Sequence, residues 1–159
     1  LVDLRKAGIT ASILVMNPEL TAFNTIFKNN LEPEIYSFTL LDAMIRACER
    51  EGYMNYPVHI KIDTGMSRLG FSPSDMPKLI ERLGRQTAVM PRSVFSHLAG
   101  SDSTEFDSFT HLQAQRFDGH FRFLAPTVPS SAAVPSRIRP GSYRQTSARS
   151  SRTIAWRPP

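Results

Sequence analysis

A single cysteine, Cys48, stands among the 159 residues, so no internal disulfide is available to the chain. No apolar run approaches the ~20 residues that a membrane-spanning helix needs. No group of His, Cys, Asp and Glu shows metal-ligand spacing, and no glycine-rich phosphate loop is present. The start, Leu-Val-Asp-Leu-Arg-Lys, has neither an initiator methionine nor the apolar core of a signal peptide. The chain is therefore expected to begin inside a longer gene product. Lys, Asp and Glu are missing altogether from residues 126–159, which hold six arginines, six prolines and seven serines. Those arginines leave 13 of the 19 basic side chains, against all 14 acidic ones, in residues 1–125. The net charge of +5 thus belongs to the tail, and the near-neutral remainder carries no nucleic-acid footprint.

What is present is a regular alternation of two periods. Residues 1–7 read as the end of a helix stopped by Gly8. Short apolar runs at Ser12–Met16, Glu34–Phe38, Val58–Asp63 and Val94–Leu98 read as strands. Between them, Leu20, Phe23, Phe27 and Leu31 recur at helical spacing. Thr39, with Asp42 three residues on, is expected to open a helix running to about Gly52. Cys48 shares a face of that helix with Leu41, Met44 and Ile45 and reads as a small buried apolar residue. Ser74–Leu83 reads as a helix with Pro77 in its first turn. Phe106, Phe109, Gln113, Phe117 and Phe121 mark a last amphipathic helix ending near Leu124. One helix followed by four βα units predicts a parallel sheet with right-handed crossovers. Periodicity alone leaves open whether that sheet is half of an eight-stranded barrel or an open one.

The most informative run is Val58-His59-Ile60-Lys61-Ile62-Asp63-Thr64-Gly65-Met66-Ser67-Arg68-Leu69-Gly70-Phe71. Val58, Ile60 and Ile62 alternate with His59, Lys61 and Asp63. In a parallel sheet covered by helices, the polar face of such a strand turns inward. A Lys and an Asp there are costly unless paired or bound to something. The strand ends in a polar turn at its carboxyl end, where α/β folds place their sites.

This run closely resembles the fifth barrel strand of pyridoxal-phosphate-dependent alanine racemases, where Lys-x-Asp-Thr-Gly-Met-x-Arg-Leu-Gly recurs. Val94-Phe95-Ser96-His97-Leu98-Ala99, with Asp102 soon after, resembles the sixth. The resemblance implies a partial TIM (β/α)8 barrel, about strands 3 to 6, over residues 1–125. It implies pyridoxal 5'-phosphate as cofactor, with Arg68 and His97 as cofactor-binding residues. Lys61, Asp63, Thr64 and Met66 would support them, with Gly65 shaping the same turn. In the family the barrel lysine matched by Lys61 can be carbamylated and orients the motif arginine, here Arg68. The residues alone leave other roles open: a salt bridge from Lys61 to Asp63 or a neighbouring strand, a solvated turn for Arg68, a hydrogen-bonded core position for His97. His59, His111 and His120 have no support as site residues, and the last two read as helix-surface positions.

The implied activity is interconversion of L-alanine and D-alanine for cell-wall precursors, in a cytoplasmic homodimer. The family's two proton-transfer groups are a Schiff-base lysine on strand one and a tyrosine from the partner's C-terminal domain. Neither setting occurs in this sequence, so no catalytic residue is assigned and the isolated chain is expected to be an inactive fragment. Another barrel-type amino-acid racemase, a D-threonine aldolase and a non-catalytic remnant are the alternatives. Residues 126–159 read as a disordered or frameshifted tail, because Pro and Arg at this density bury too little surface to order themselves.

Overall fold

The computed structural model describes residues 1–124 and a strand at 153–156. Four parallel strands alternate with helices. They are β1 (Leu14–Val15), β2 (Glu32–Ile35), β3 (Tyr56–Lys61) and β4 (Val89–His97), hydrogen-bonded in chain order. The helices are α1 (Val2–Lys6), α2 (Phe23–Lys28), α3 (Phe38–Glu51), α4 (Met76–Gly84) and α5 (Asp107–Leu124). Sequential parallel order with one helix per crossover gives a partial α/β barrel rather than a sheet wound both ways. No helix among the described residues is long and apolar enough to cross a membrane.

The strand boundaries differ from the periodicity reading in a consistent way. β2 begins at Glu32 rather than Glu34, and β4 begins five residues before Val94. Both early stretches carry proline and charge, Glu32-Pro33-Glu34 and Pro91-Arg92, which hide a strand from an apolar-run reading. α3 is capped by Ser37, whose Oγ accepts from the Leu40 backbone N–H at 3.3 Å, and not by Thr39. Ser37 has the extended backbone (φ −152°) that an N-cap requires, so the helix starts two residues early. It ends, as read, at Gly52, which takes the left-handed φ of +76°.

The expected tail lies mostly outside the described residues. Within it, Thr153–Trp156 form β5, antiparallel to β4, with Val94 opposite Trp156 and His97 opposite Thr153.

The helix side of the sheet holds the hydrophobic core. Ile35, Val58, Ile60, Ile62 and Val94 pack there with Leu41, Met44 and Cys48 of α3, Leu79 of α4 and Phe117 and Phe121 of α5. Burying one such aliphatic side chain contributes roughly 1.5–3 kcal/mol. Cys48 is fully buried, as its helical face predicts, and burial followed by the nearby Glu49 charge pushes its thiol up to about 11. Such a thiol is inert packing.

Candidate functional site

Because Val58, Ile60 and Ile62 belong to the helix-side core, the alternate residues of β3 face the other way. That face is also buried, and it is polar. Glu32, Glu34, His59, Lys61 and Ser93 are each at most 5% exposed. They meet in layers across three strands. In the lower layer, His59 Nε2 lies 2.8 Å from Glu32 Oε2, and His59 Nδ1 lies 2.6 Å from Ser93 Oγ. Arg92 completes that layer with an ion pair to Glu32. In the upper layer, Lys61 Nζ lies 2.9 Å from Glu34 Oε1 and 5.8 Å from the centroid of the Phe95 ring. Glu34 Oε2 accepts the Asn17 backbone N–H at 3.1 Å.

A β-bulge sets this alignment. Val58 stands opposite Pro91, but His59 stands opposite Ser93, so Arg92 is the extra residue. The shift resets the phase of β4 and places Ser93 and Phe95 beside His59 and Lys61. An apolar-run reading that starts β4 at Val94 cannot see it.

Above the upper layer, the chain leaves β3 and closes a tight loop. Phe71 N–H donates to Lys61 O, and Asp63 N–H donates to Phe71 O, both at 2.9 Å. Asp63 Oδ1 accepts the backbone N–H groups of Gly65 (2.9 Å) and Ser67 (3.1 Å), so its carboxylate builds the turn from within. Thr64 is buried, and its Oγ1 meets Ser96 Oγ at 2.8 Å. Gln113 of α5 donates from Nε2 to Thr64 Oγ1 (3.2 Å) and to His97 O (3.0 Å), and its Oε1 accepts the Ala99 N–H (3.0 Å). Arg116 donates to Thr64 O at 3.1 Å. One glutamine thus ties the turn after β3 to the end of β4. Met66 is half-buried in the same loop.

The loop delivers Arg68 to an exposed position. Its guanidinium has no hydrogen-bond or ion-pair partner among the described residues. His97, half-buried at the carboxyl end of β4, lies in the field of both Lys61 and Arg68. Burial, then the charge of Lys61, then that of Arg68, lowers its pKa below the ordinary 6.5. Lys61 closes β3, Arg68 lies in the loop after it and His97 closes β4, so all three stand at the carboxyl ends of two adjacent parallel strands. A neutral imidazole beside an uncommitted guanidinium suits an aromatic ligand that carries an anionic oxygen. The donor set fits pyridoxal phosphate in that respect. No His/Cys/Asp/Glu group able to hold a metal occurs among the described residues.

Sequence reasoning missed Glu34, Glu32, Gln113 as a loop tie, and Arg116. The Glu-x-Glu alternation in β2 was the available signal, obscured by Pro33 and the misplaced strand start. His120 is buried and not on the helix surface: it is 6% exposed, with Nδ1 against the Arg116 carbonyl oxygen. His59 is a buried core histidine, and His111 is exposed as expected.

Residues 1–141 match the family model of the alanine racemase N-terminal domain. The match runs beyond residue 125, into the segment read as a disordered or frameshifted tail. The chain is 32% identical over 135 residues to an alanine racemase of Methylacidiphilum infernorum, covering 84% of this chain and 35% of that protein. It is 29% identical over 157 residues to the alanine racemase of Mycobacterium tuberculosis, covering 87% and 40%. Its fold superposes on the alanine racemase of Clostridium difficile with a TM-score of 0.71 at 27% identity, over 79% of this chain and 34% of that one. The chain spans about a third of the length of such relatives. The fold, the motif run and the family match together place this chain in the alanine racemase family, as part of its N-terminal barrel domain.

Proposed function

We propose that this stretch forms the cofactor-facing part of an alanine racemase barrel. The complete protein would interconvert L-alanine and D-alanine with pyridoxal 5'-phosphate, as a cytoplasmic homodimer supplying cell-wall precursors. The observation that supports this most is the convergence of Lys61, Arg68 and His97 where a barrel presents its site, within a match to the family.

When bound, pyridoxal phosphate supplies an electron sink for the carbanion left after an amino acid loses its α-proton. The residues here bind and orient. Arg68 would present a planar fork to the cofactor's phenolic oxygen and the substrate carboxylate, a task a point charge performs less well. His97, kept neutral, would pack against the ring without adding a second cation. Asp63 and Thr64 hold the loop that carries Arg68, in which Met66 is half-buried, and Gln113 fixes that loop against β4. The proton-transfer groups must come from elsewhere in the complete protein. Each such group typically supplies 10²- to 10⁴-fold in rate, so the chain alone is not expected to racemise alanine.

The test is a segment exchange. Residues 1–124 replace the corresponding segment of the Clostridium difficile alanine racemase, and alanine racemisation is followed by chiral chromatography. The hybrid should racemise alanine, and Arg68→Gln within it should lower kcat/KM by roughly 10²–10³-fold, as for other donors to developing charge. A folded, active hybrid indifferent to Arg68→Gln would refute the assignment.

A further inference from the structure

We propose that Glu34 is the resident anion of the inner face, and that it keeps Lys61 an unmodified ammonium where family resemblance suggests a carbamate. The inference deepens the cofactor-site reading and rests on it only for the role of Arg68.

The geometry behind it is a closed pair. Glu34 is fully buried and Lys61 is 5% exposed. Their charged atoms are 2.9 Å apart, held by Coulombic contact, since Glu34 Oε1 receives no well-aligned hydrogen bond. The other Glu34 oxygen is committed to the Asn17 N–H. On its far side, Lys61 faces the Phe95 ring, which favours a cation and offers nothing to an anion.

Carbamylation would undo each of these contacts. The neutral amine attacks carbon dioxide, an N–C bond forms, one C=O π pair moves onto oxygen, and the nitrogen releases a proton to solvent. The cation becomes an N-carboxylate. Glu34 would then be a buried charge with its counter-ion gone. A second carboxylate would stand beside it on the neighbouring strand, and like charges at that separation disfavour each other's ionised form. With Glu34 in place, the site already holds the negative charge that a carbamate would bring. Glu34 is thus a positioning residue: it fixes Lys61, whose charge acts on His97.

The experiment reads the modification directly and needs no activity. The full 159-residue chain is incubated with ¹³C-bicarbonate, carbamates are trapped by alkylation, and labelled lysines are located by peptide mass mapping. Wild type should show no label on Lys61. Glu34→Gln should carry at least tenfold more label there, and Glu34→Asp, which keeps the charge, should behave as wild type. Label on Lys61 in wild type overturns the proposal. So does an unlabelled Lys61 in a Glu34→Gln chain that circular dichroism shows to be folded. If Glu34→Gln does not fold, wild type at rising bicarbonate decides: label on Lys61 refutes, and its absence at saturation supports. A carbamate on Lys61 would leave the racemase reading standing, and an inactive segment-exchange hybrid would leave this result standing.

Discussion

Replacing Glu34 by Leu should destabilise the fold by roughly 3–5 kcal/mol, the cost of leaving one member of a buried ion pair without its partner. Lys61→Met should cost a similar amount, because Glu34 is fully buried and its own desolvation is then uncompensated. The double variant Glu34→Leu/Lys61→Met should recover to within about 1–2 kcal/mol of wild type, since apolar side chains of similar volume often replace a buried pair at little net cost. The remainder is the Asn17 N–H, which loses its acceptor; such a loss is worth roughly 1 kcal/mol or more. Denaturant titration of the four chains measures the coupling. Two single losses that simply add in the double variant would mean the two charges do not depend on each other. With domain stabilities of only about 5–15 kcal/mol, either single change removes a large share.

Gly70→Ala should be comparably severe for a different reason. Gly70 has φ +129°, and a Cβ there would lie 2.6 Å from the Asp63 nitrogen and 2.7 Å from the Ile62 carbonyl carbon. Both are backbone atoms of the strand end to which Phe71 is hydrogen-bonded, so no side chain can move aside. Backbone strain of roughly 1–3 kcal/mol and overpacking of roughly 1–3 kcal/mol act together. The loop that carries Arg68 should open before the rest of the chain unfolds, which amide exchange at Asp63 and Phe71 would show. Gly84→Ala is the control. Nothing lies within 4 Å of its Cβ position at the end of α4, and it should be neutral or slightly stabilising.

A strand was legible where polar and apolar residues alternate cleanly, and hidden where proline, charge or a bulge interrupts the alternation. β3 was legible because apolar and polar residues alternate, and the structure puts Val58, Ile60 and Ile62 on the helix side and His59 and Lys61 on the other. β2 was misplaced because Glu32-Pro33-Glu34 puts charge and a proline where an apolar run marks a strand, which obscured its alternation. The start of β4 was missed because the bulge at Arg92 breaks the alternation that marks a strand. The turn after β3 could be read as a turn, but not its closure: Gln113 and Arg116 reach Thr64 from 49 and 52 residues away. Glu34 is the instructive omission. The cost of burying Lys61 implied a partner, and Asp63 or a neighbouring strand were the candidates. Asp63 is occupied by the turn it builds, and the partner sits on β2. A long-range pair of this kind follows from register, which local spacing does not carry.

The convergence of Lys61, Arg68 and His97 is the centre of the account, and one titration tests it most directly. The His97 imidazole, followed by NMR against pH, should show a midpoint below 6.5, because burial and then the two neighbouring cations disfavour its charged form. The sign also fixes the stability profile. Below about pH 6.5 the unfolded chain takes up this proton before the folded one does, so stability falls as pH drops from there through the folded midpoint. Arg68→Gln, at an exposed position that should not disturb the core, removes one of the two cations and should move the midpoint upward. A His97 midpoint at or above 6.5, unchanged by Arg68→Gln, would show that the three side chains do not share a site.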